Sequence, residues 1–203
     1  MAYAAGSLPE AFDLVVATHV SLCDECRARL GAFEAVGGHF VETAEAAELS
    51  DDTFAKTMAL IAAQDGEQIK APAPRTDGIF PTPLRNYVGG DKDAVKWRSV
   101  GGGVRQMILP TKGNASVRLL HIPAGASVPD HGHRGTELTL VLQGAFRDET
   151  DQFGVGDIEV ANEDLDHTPV AMDGEDCICL AATDAPLRFN SLLPRLAQPF
   201  VRI

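Results

Sequence analysis

The chain has 203 residues, 45% of them hydrophobic, with 17 lysines and arginines against 29 aspartates and glutamates, a formal net charge of −12. That composition is ordinary for a soluble globular protein able to bury a core, and no apolar run approaches the length of a membrane span. The acidic balance argues against direct nucleic-acid binding, which needs a basic stripe, and without a basic-then-apolar opening segment a cytoplasmic location is expected, with no membrane association.

The charge is uneven. Residues 1–70 hold four basic residues (Arg27, Arg29, Lys56, Lys70) against twelve acidic ones, so 4 − 12 = −8 lies there. A solvated acidic surface and a face for a basic partner, such as a protein that itself binds DNA, both fit this pattern. Four cysteines fall in two close pairs, Cys23/Cys26 and Cys177/Cys179. In a reducing compartment such pairs read as metal or redox sites before structural disulfides.

Residues 7–64 read as helical. Ser7 and Glu10 have capping-box spacing, Pro9 falls in the first turn, and Leu8, Phe12, Val15, Val16 and His19 recur at helical spacing. Ser21 and Asp24 are candidate caps for a second helix running past Phe33 and Val36, with Gly37-Gly38 as its stop. A third begins near Ser50 and sets Phe54, Met58 and Ile61 on one face. Isolated helices of this length are marginal, so these stripes need each other or a partner. Asp65-Gly66, Pro72, Pro74, Asp77-Gly78, Pro81 and Pro83 then mark a linker. Beyond it the period changes to short, often β-branched runs at Val104–Leu109, Ser116–Ile122, Glu137–Leu142, Asp157–Val160, Cys177–Ala182 and Leu187–Phe189. Separated by Gly, Pro and Asp turns, they predict an antiparallel sandwich or barrel.

His19, Cys23 and Cys26 form the first candidate site. On one continuous helix they would share a face, differing by about 40° and 20° around the axis. If Ser21 breaks the helix, both cysteines fall in the first turn of the next one, where the dipole favours thiolate. One nitrogen and two sulfurs suit zinc. Redox-active thiols and buried inert cysteines are the competing readings. A fourth ligand must come from elsewhere or from solvent.

The second candidate site follows Gly125. His131 and His133 are two apart, so on an extended segment both imidazoles project to one side, and Glu137 joins them if the chain stays extended. Two imidazoles and a carboxylate accept Zn²⁺, Fe²⁺, Mn²⁺ or Ni²⁺. The spacing Gly125, His131, His133, Glu137, Gly144 matches the first cupin motif at every defined position. Downstream, Gly156 leads to His167 as in the second motif, although Asn162, Asp164 and Ala171 replace its usual proline, glycine and asparagine. His167 completes a three-His, one-Glu set, while His121 reads as a strand surface residue. Cys177 and Cys179 share a strand face, as an oxidisable pair or as plain core.

Together, His-x₃-Cys-x₂-Cys in a short acidic helical segment followed by a cupin resembles the ChrR type of zinc-binding anti-sigma factor. The resemblance spans essentially the whole chain. It implies an α + β fold: a helical zinc-binding anti-sigma domain over 1–66, a linker over 67–84 and a β-barrel cupin domain over 85–203. It implies zinc at His19, Cys23 and Cys26, and a second zinc at His131, His133, Glu137 and His167. Such proteins hold an extracytoplasmic-function sigma factor inactive and release it in response to singlet oxygen, a step that needs the cupin half. The family's fourth N-terminal ligand is a histidine upstream of His19; this sequence has none there, so a missing upstream segment is expected, with His39 as a substitute ligand. The alternatives are a metal-dependent cupin enzyme such as a dioxygenase, and a metal- or redox-sensing module for some other protein.

Overall fold

The computed structural model describes residues 1–63 and 78–201, so the expected turns and prolines from Asp65 to Asp77 lie outside the described residues. Three helices come first: α1 (Glu10–Val20), α2 (Asp24–Thr43) and α3 (Thr53–Ala63). A short α4 (Thr82–Val88) precedes the strands. These are β1 (Arg98–Gly101), β2 (Val104–Leu109), β3 (Ser116–Ile122), β4 (His131–Gly132), β5 (Glu137–Gln143) and β6 (Ala145–Arg147). They continue with β7 (Gln152–Gly154), β8 (Ile158–Ala161), β9 (Asp166–His167), β10 (Val170–Ala171), β11 (Cys177–Thr183) and β12 (Arg188–Phe189), and α5 (Leu192–Val201) ends the described chain. None of these helices is long and apolar enough to cross a membrane.

The α + β class holds, but the expected β-barrel does not form. Six strands make one sheet in the order β1-β2-β3-β11-β5-β8, and its edges β1 and β8 are not joined by any ladder among the described residues. The remaining strands make two separate three-stranded sheets, β10-β6-β7 and β12-β4-β9. Closure needs a continuous hydrogen-bonded circuit. β4, β9, β10 and β12 are only two residues long, too short to carry a ladder around the perimeter. Strand-like runs in a sequence report extended segments, not which edges meet.

The core has two sides because β11 sits between β3 and β5 and is buried over its whole length. Ile178, Leu180 and Ala182 face the outer layer, where Phe12 and Val15 of α1 pack with Phe80 and Leu84. Cys177 and Cys179 face the other way, into a cluster with Val104, Val141 and Phe146. The stretch 78–84 is itself packed: the amides of Ile79 and Phe80 both donate to the Asp91 carboxylate, at 3.2 Å each.

Two local expectations give way. Ser7 does not cap α1; its hydroxyl donates to the Ala2 carbonyl, and Pro9 is the capping residue. The Glu10 carboxylate is engaged elsewhere, accepting from the Tyr87 hydroxyl and the Lys112 amide at 2.7 Å each. Nor does Gly37-Gly38 stop α2, which runs on to Thr43. Glycine in an exposed helix interior costs only about 1 kcal/mol relative to alanine, less than a break in the hydrogen-bond ladder.

In contrast to α1, neither α2 nor α3 buries a residue. Phe40 is 69% exposed, Phe54 78% and Ile61 59%. Phe12→Ala is therefore expected to destabilise the chain by about 3–5 kcal/mol in urea unfolding, whereas Phe54→Ala changes it by less than about 0.5 kcal/mol. The Tyr87 hydroxyl and then the Lys112 amide hold Glu10 below the ordinary carboxylate value. A group depressed in this way stabilises above its unfolded pKa and loses that contribution as pH falls through the folded one. Glu10→Gln should flatten that part of the acid limb in a pH series of thermal melts.

Candidate metal centres

Register brings the three C-terminal histidines together. β4 and β9 pair antiparallel with His131 opposite His167, and directly opposed residues share a sheet face. His133, two residues beyond His131, points to the same side. One ring nitrogen or other ligand atom from each lies within 4.8 Å of the others, and all three residues are buried.

Each Nδ1 is already engaged: His131 with the Pro129 carbonyl at 2.8 Å, His133 with the Leu165 carbonyl at 3.1 Å, His167 with Asp148 Oδ2 at 2.8 Å. Carbonyl oxygens only accept, so Nδ1 carries the proton in His131 and His133 and Nε2 is left with a lone pair. His133 Nε2 is buried without a hydrogen-bond partner, and the Nε2 atoms of His131 and His167 lie 3.2 Å apart. That spacing is close to the ~3.4 Å between two nitrogens held at about 2.0–2.1 Å from one tetrahedral ion. An orphaned buried lone pair on His133 beside two further imidazole nitrogens fits a metal site far better than a packed core.

Glu137 is not part of this cluster. A bend at Arg134–Gly135 separates β4 from β5, so the chain is not extended throughout, and Glu137 reaches the site from the large sheet instead. Its carboxylate accepts from the Thr139 hydroxyl at 3.0 Å and faces the same cavity of about 540 Å³ as His131 and His167. Burial lowers the His131 pKa, opposed by the Glu137 charge. Val104, Leu120, Ile122, Phe146 and Phe189 supply much of the cavity's apolar wall.

Two residues absent from the sequence reading complete the surroundings. Asp148 Oδ2 and Glu159 Oε1 lie 2.8 and 3.2 Å from His167 Nδ1, with side chains 0% and 6% exposed. The other Asp148 oxygen accepts from the Thr150 amide and hydroxyl and the Asp151 amide. Burial alone would lower the His167 pKa, but the Glu159 and Asp148 carboxylates outweigh it and push it up to about 9. Burial raises Glu159, while for Asp148 hydrogen bonds from Glu159, His167 and Thr150 overcome burial and lower it. A carboxylate on the far nitrogen of a metal-ligating histidine fixes its tautomer and raises its basicity. Alternation along β8 hides this role: Ile158 and Val160 suggest the core face, yet Val160 is 64% exposed and Glu159 buried.

The N-terminal residues also meet. α1 ends at Val20, and Cys23 is the capping residue of α2, its sulfur accepting from the Cys26 amide at 3.5 Å. The helix therefore breaks, and His19, Cys23 and Cys26 offer ligand atoms within 4.8 Å of one another. His19 Nδ1 lies 2.9 Å from the Gly156 carbonyl, 137 positions away. Burial, then the hydrogen bond with Cys23, push the Cys26 thiol pKa up. His39 stands apart, about 20 Å further along α2 and exposed.

His121 is buried rather than on the surface, paired with Arg105 and 3.2 Å from Asp176, away from both clusters. Cys177 and Cys179 are free thiols, fully buried with sulfurs 3.4 Å apart.

Residues 86–186 match the family described as the ChrR Cupin-like domain. Over 204 aligned residues the chain is 65% identical to the anti-sigma-E factor ChrR of Cereibacter sphaeroides, covering 100% of this chain and 94% of that protein. Its structure is similar to a chain in the crystal structure of Rhodobacter sphaeroides SigE in complex with the anti-sigma ChrR, with a TM-score of 0.79 and 61% identity over 90% of this chain and 93% of that one. Identity at this level from end to end means that the chain belongs to the ChrR family of anti-sigma factors.

Proposed function

We propose that this chain binds and inhibits an extracytoplasmic-function sigma factor through its N-terminal helices, and that its cupin half is needed for release in the response to singlet oxygen. The solved complex of SigE with a similar anti-sigma factor supports the partner. The observation in this chain that carries the reading is the apolar surface of α2 and α3. Val36, Phe40, Val41, Phe54, Met58 and Ile61 are all exposed on helices that bury nothing of their own. Marginal helices with exposed aromatic and aliphatic anchors are what a partner groove requires. The acidic excess of residues 1–70 would oppose the basic DNA-binding faces of a sigma factor and speed encounter.

The functional division is residues 1–66 as anti-sigma domain, 67–84 as linker and 85–203 as cupin domain. Zinc is the proposed metal at both clusters: His19, Cys23 and Cys26, and His131, His133 and His167 with Glu137 from across the cavity. The N-terminal donor set of one imidazole and two thiols suits zinc, which would clip the end of α1 to the start of α2. Asp148 and Glu159 would hold the His167 ring in place.

Three outcomes test this. Phe40→Asp or Phe54→Asp should weaken the complex with the purified sigma factor at least about 30-fold by calorimetry, roughly 2 kcal/mol, without shifting the thermal melt of the free chain. Absence of any complex with the intact, reduced protein would remove the reading altogether. Elemental analysis should give two zinc per chain, falling to one in Cys26→Ser and to one in His133→Ala. Asp148→Asn should keep the cupin zinc but weaken it about 10–100-fold in chelator competition.

A further inference from the structure

The two candidate metal centres are joined by a path only a few residues long. The turn between β7 and β8 is tightly held: Gly154 N–H donates to Asp157 Oδ2 at 2.8 Å, Asp157 N–H to the Gly154 carbonyl at 2.9 Å, and Gly156 N–H to the Val141 carbonyl at 2.9 Å. Gly156 has φ +92°, a conformation L side chains rarely adopt. Its carbonyl meets His19 Nδ1 at 2.9 Å. Three residues on, Glu159 of β8 reaches within 3.2 Å of His167 Nδ1. β8 also pairs with β5, opposing Ala161 to Glu137. His19 itself lies in the last turn of α1, whose apolar stripe is locked onto the outer face of the sheet.

We infer that Gly156 is a positioning residue for the N-terminal cluster: its carbonyl holds His19 with the proton on Nδ1, turning the ring's only lone pair, on Nε2, toward Cys23 and Cys26. A carbonyl oxygen accepts and cannot donate, so the hydrogen bond selects this tautomer. The far nitrogen of a metal-ligating histidine is the position from which a protein fixes ring orientation and metal affinity. Here that control is exerted by the cupin half on the anti-sigma half. Glu159 of β8 lies three residues beyond Gly156, so the same short stretch touches both His167 and His19. Gly156, on the cupin side, thereby helps set how firmly the N-terminal cluster holds its ion. This part of the inference rests on the zinc reading proposed above; the tautomer does not.

The 203-residue chain, labelled with ¹⁵N-histidine, provides the test. At a pH where His19 is neutral, two-bond ¹H–¹⁵N spectra of the metal-free protein should show His19 in the Nδ1–H form. Gly156→Ala, strained by the positive φ but with only Leu22 Cβ nearby at 4.0 Å, should give a mixture of tautomers. It should also weaken zinc at the N-terminal cluster about 10–100-fold in chelator competition while leaving the cupin cluster's affinity unchanged. Gly174→Ala, another positive-φ turn with nothing within 4 Å, should change neither reading. Gly156→Asn, which tolerates positive φ better, should restore much of both. An Nε2–H tautomer in the unaltered chain overturns the inference, as does wild-type zinc affinity in Gly156→Ala. The inferred tautomer together with no zinc at Cys23 and Cys26 would instead overturn the zinc reading.

Discussion

Burial of α1 against the outer face of the six-stranded sheet constrains where every other functional group can stand. Phe12 and Val15 are interleaved with Leu140 and Leu180, and Phe80 and Leu84 close the cluster from the side. Because that helix is anchored along its length, its last turn is fixed over the β7–β8 turn, and His19 meets a backbone carbonyl from the other half of the chain. The cysteines follow at the start of α2, where the chain changes direction. A hydrophobic contact thus sets the position of a polar site that it does not touch.

On the inner side of the same sheet the problem is electrostatic. Three imidazoles, Asp148 and Glu159 are buried within a few ångströms, an arrangement that apolar packing alone would not tolerate. It is sustained by giving one nitrogen of every ring an acceptor, so that the Nε2 atoms all turn toward one another. The carboxylates push His167 toward its cationic form, which means an ion entering the cluster must displace a proton there. Such a site is pre-organised, and its sensitivity lies in the neighbours of the ligands as much as in the ligands.

The molecule is therefore finished on one side and unfinished on the other. The strands and α1 bury their apolar residues within the chain, whereas α2 and α3 leave theirs in solvent. A regulator that must first hold and then release a partner benefits from this division. The exposed helices can gain stability from what they bind, whereas the sheet half holds its own geometry.

By itself the sequence determined the α + β class, the helical start and the change of period after the prolines, and it picked out seven candidate ligands, six of which the structure gathers into two clusters. Those follow from local rules: helical spacing, even spacing on extended chain, and motif residues that name their own chemistry. Only the tertiary structure decided the rest. Whether strands close into a barrel depends on which edges meet, and two-residue strands at His131 and His167 could not complete the circuit. Glu137 missed the expected extended run because the chain bends before it, and Ser7 and Glu10 lost their capping box to Ala2, Tyr87 and Lys112. Asp148 and Glu159 carried no local signal and Gly156 only that of a motif glycine, since carboxylates on or beside a strand and a glycine in a turn read as surface until the sheet and helix brought His167 and His19 against them. Periodicity encodes which side of an element is apolar; what stands opposite is settled only when distant segments pack.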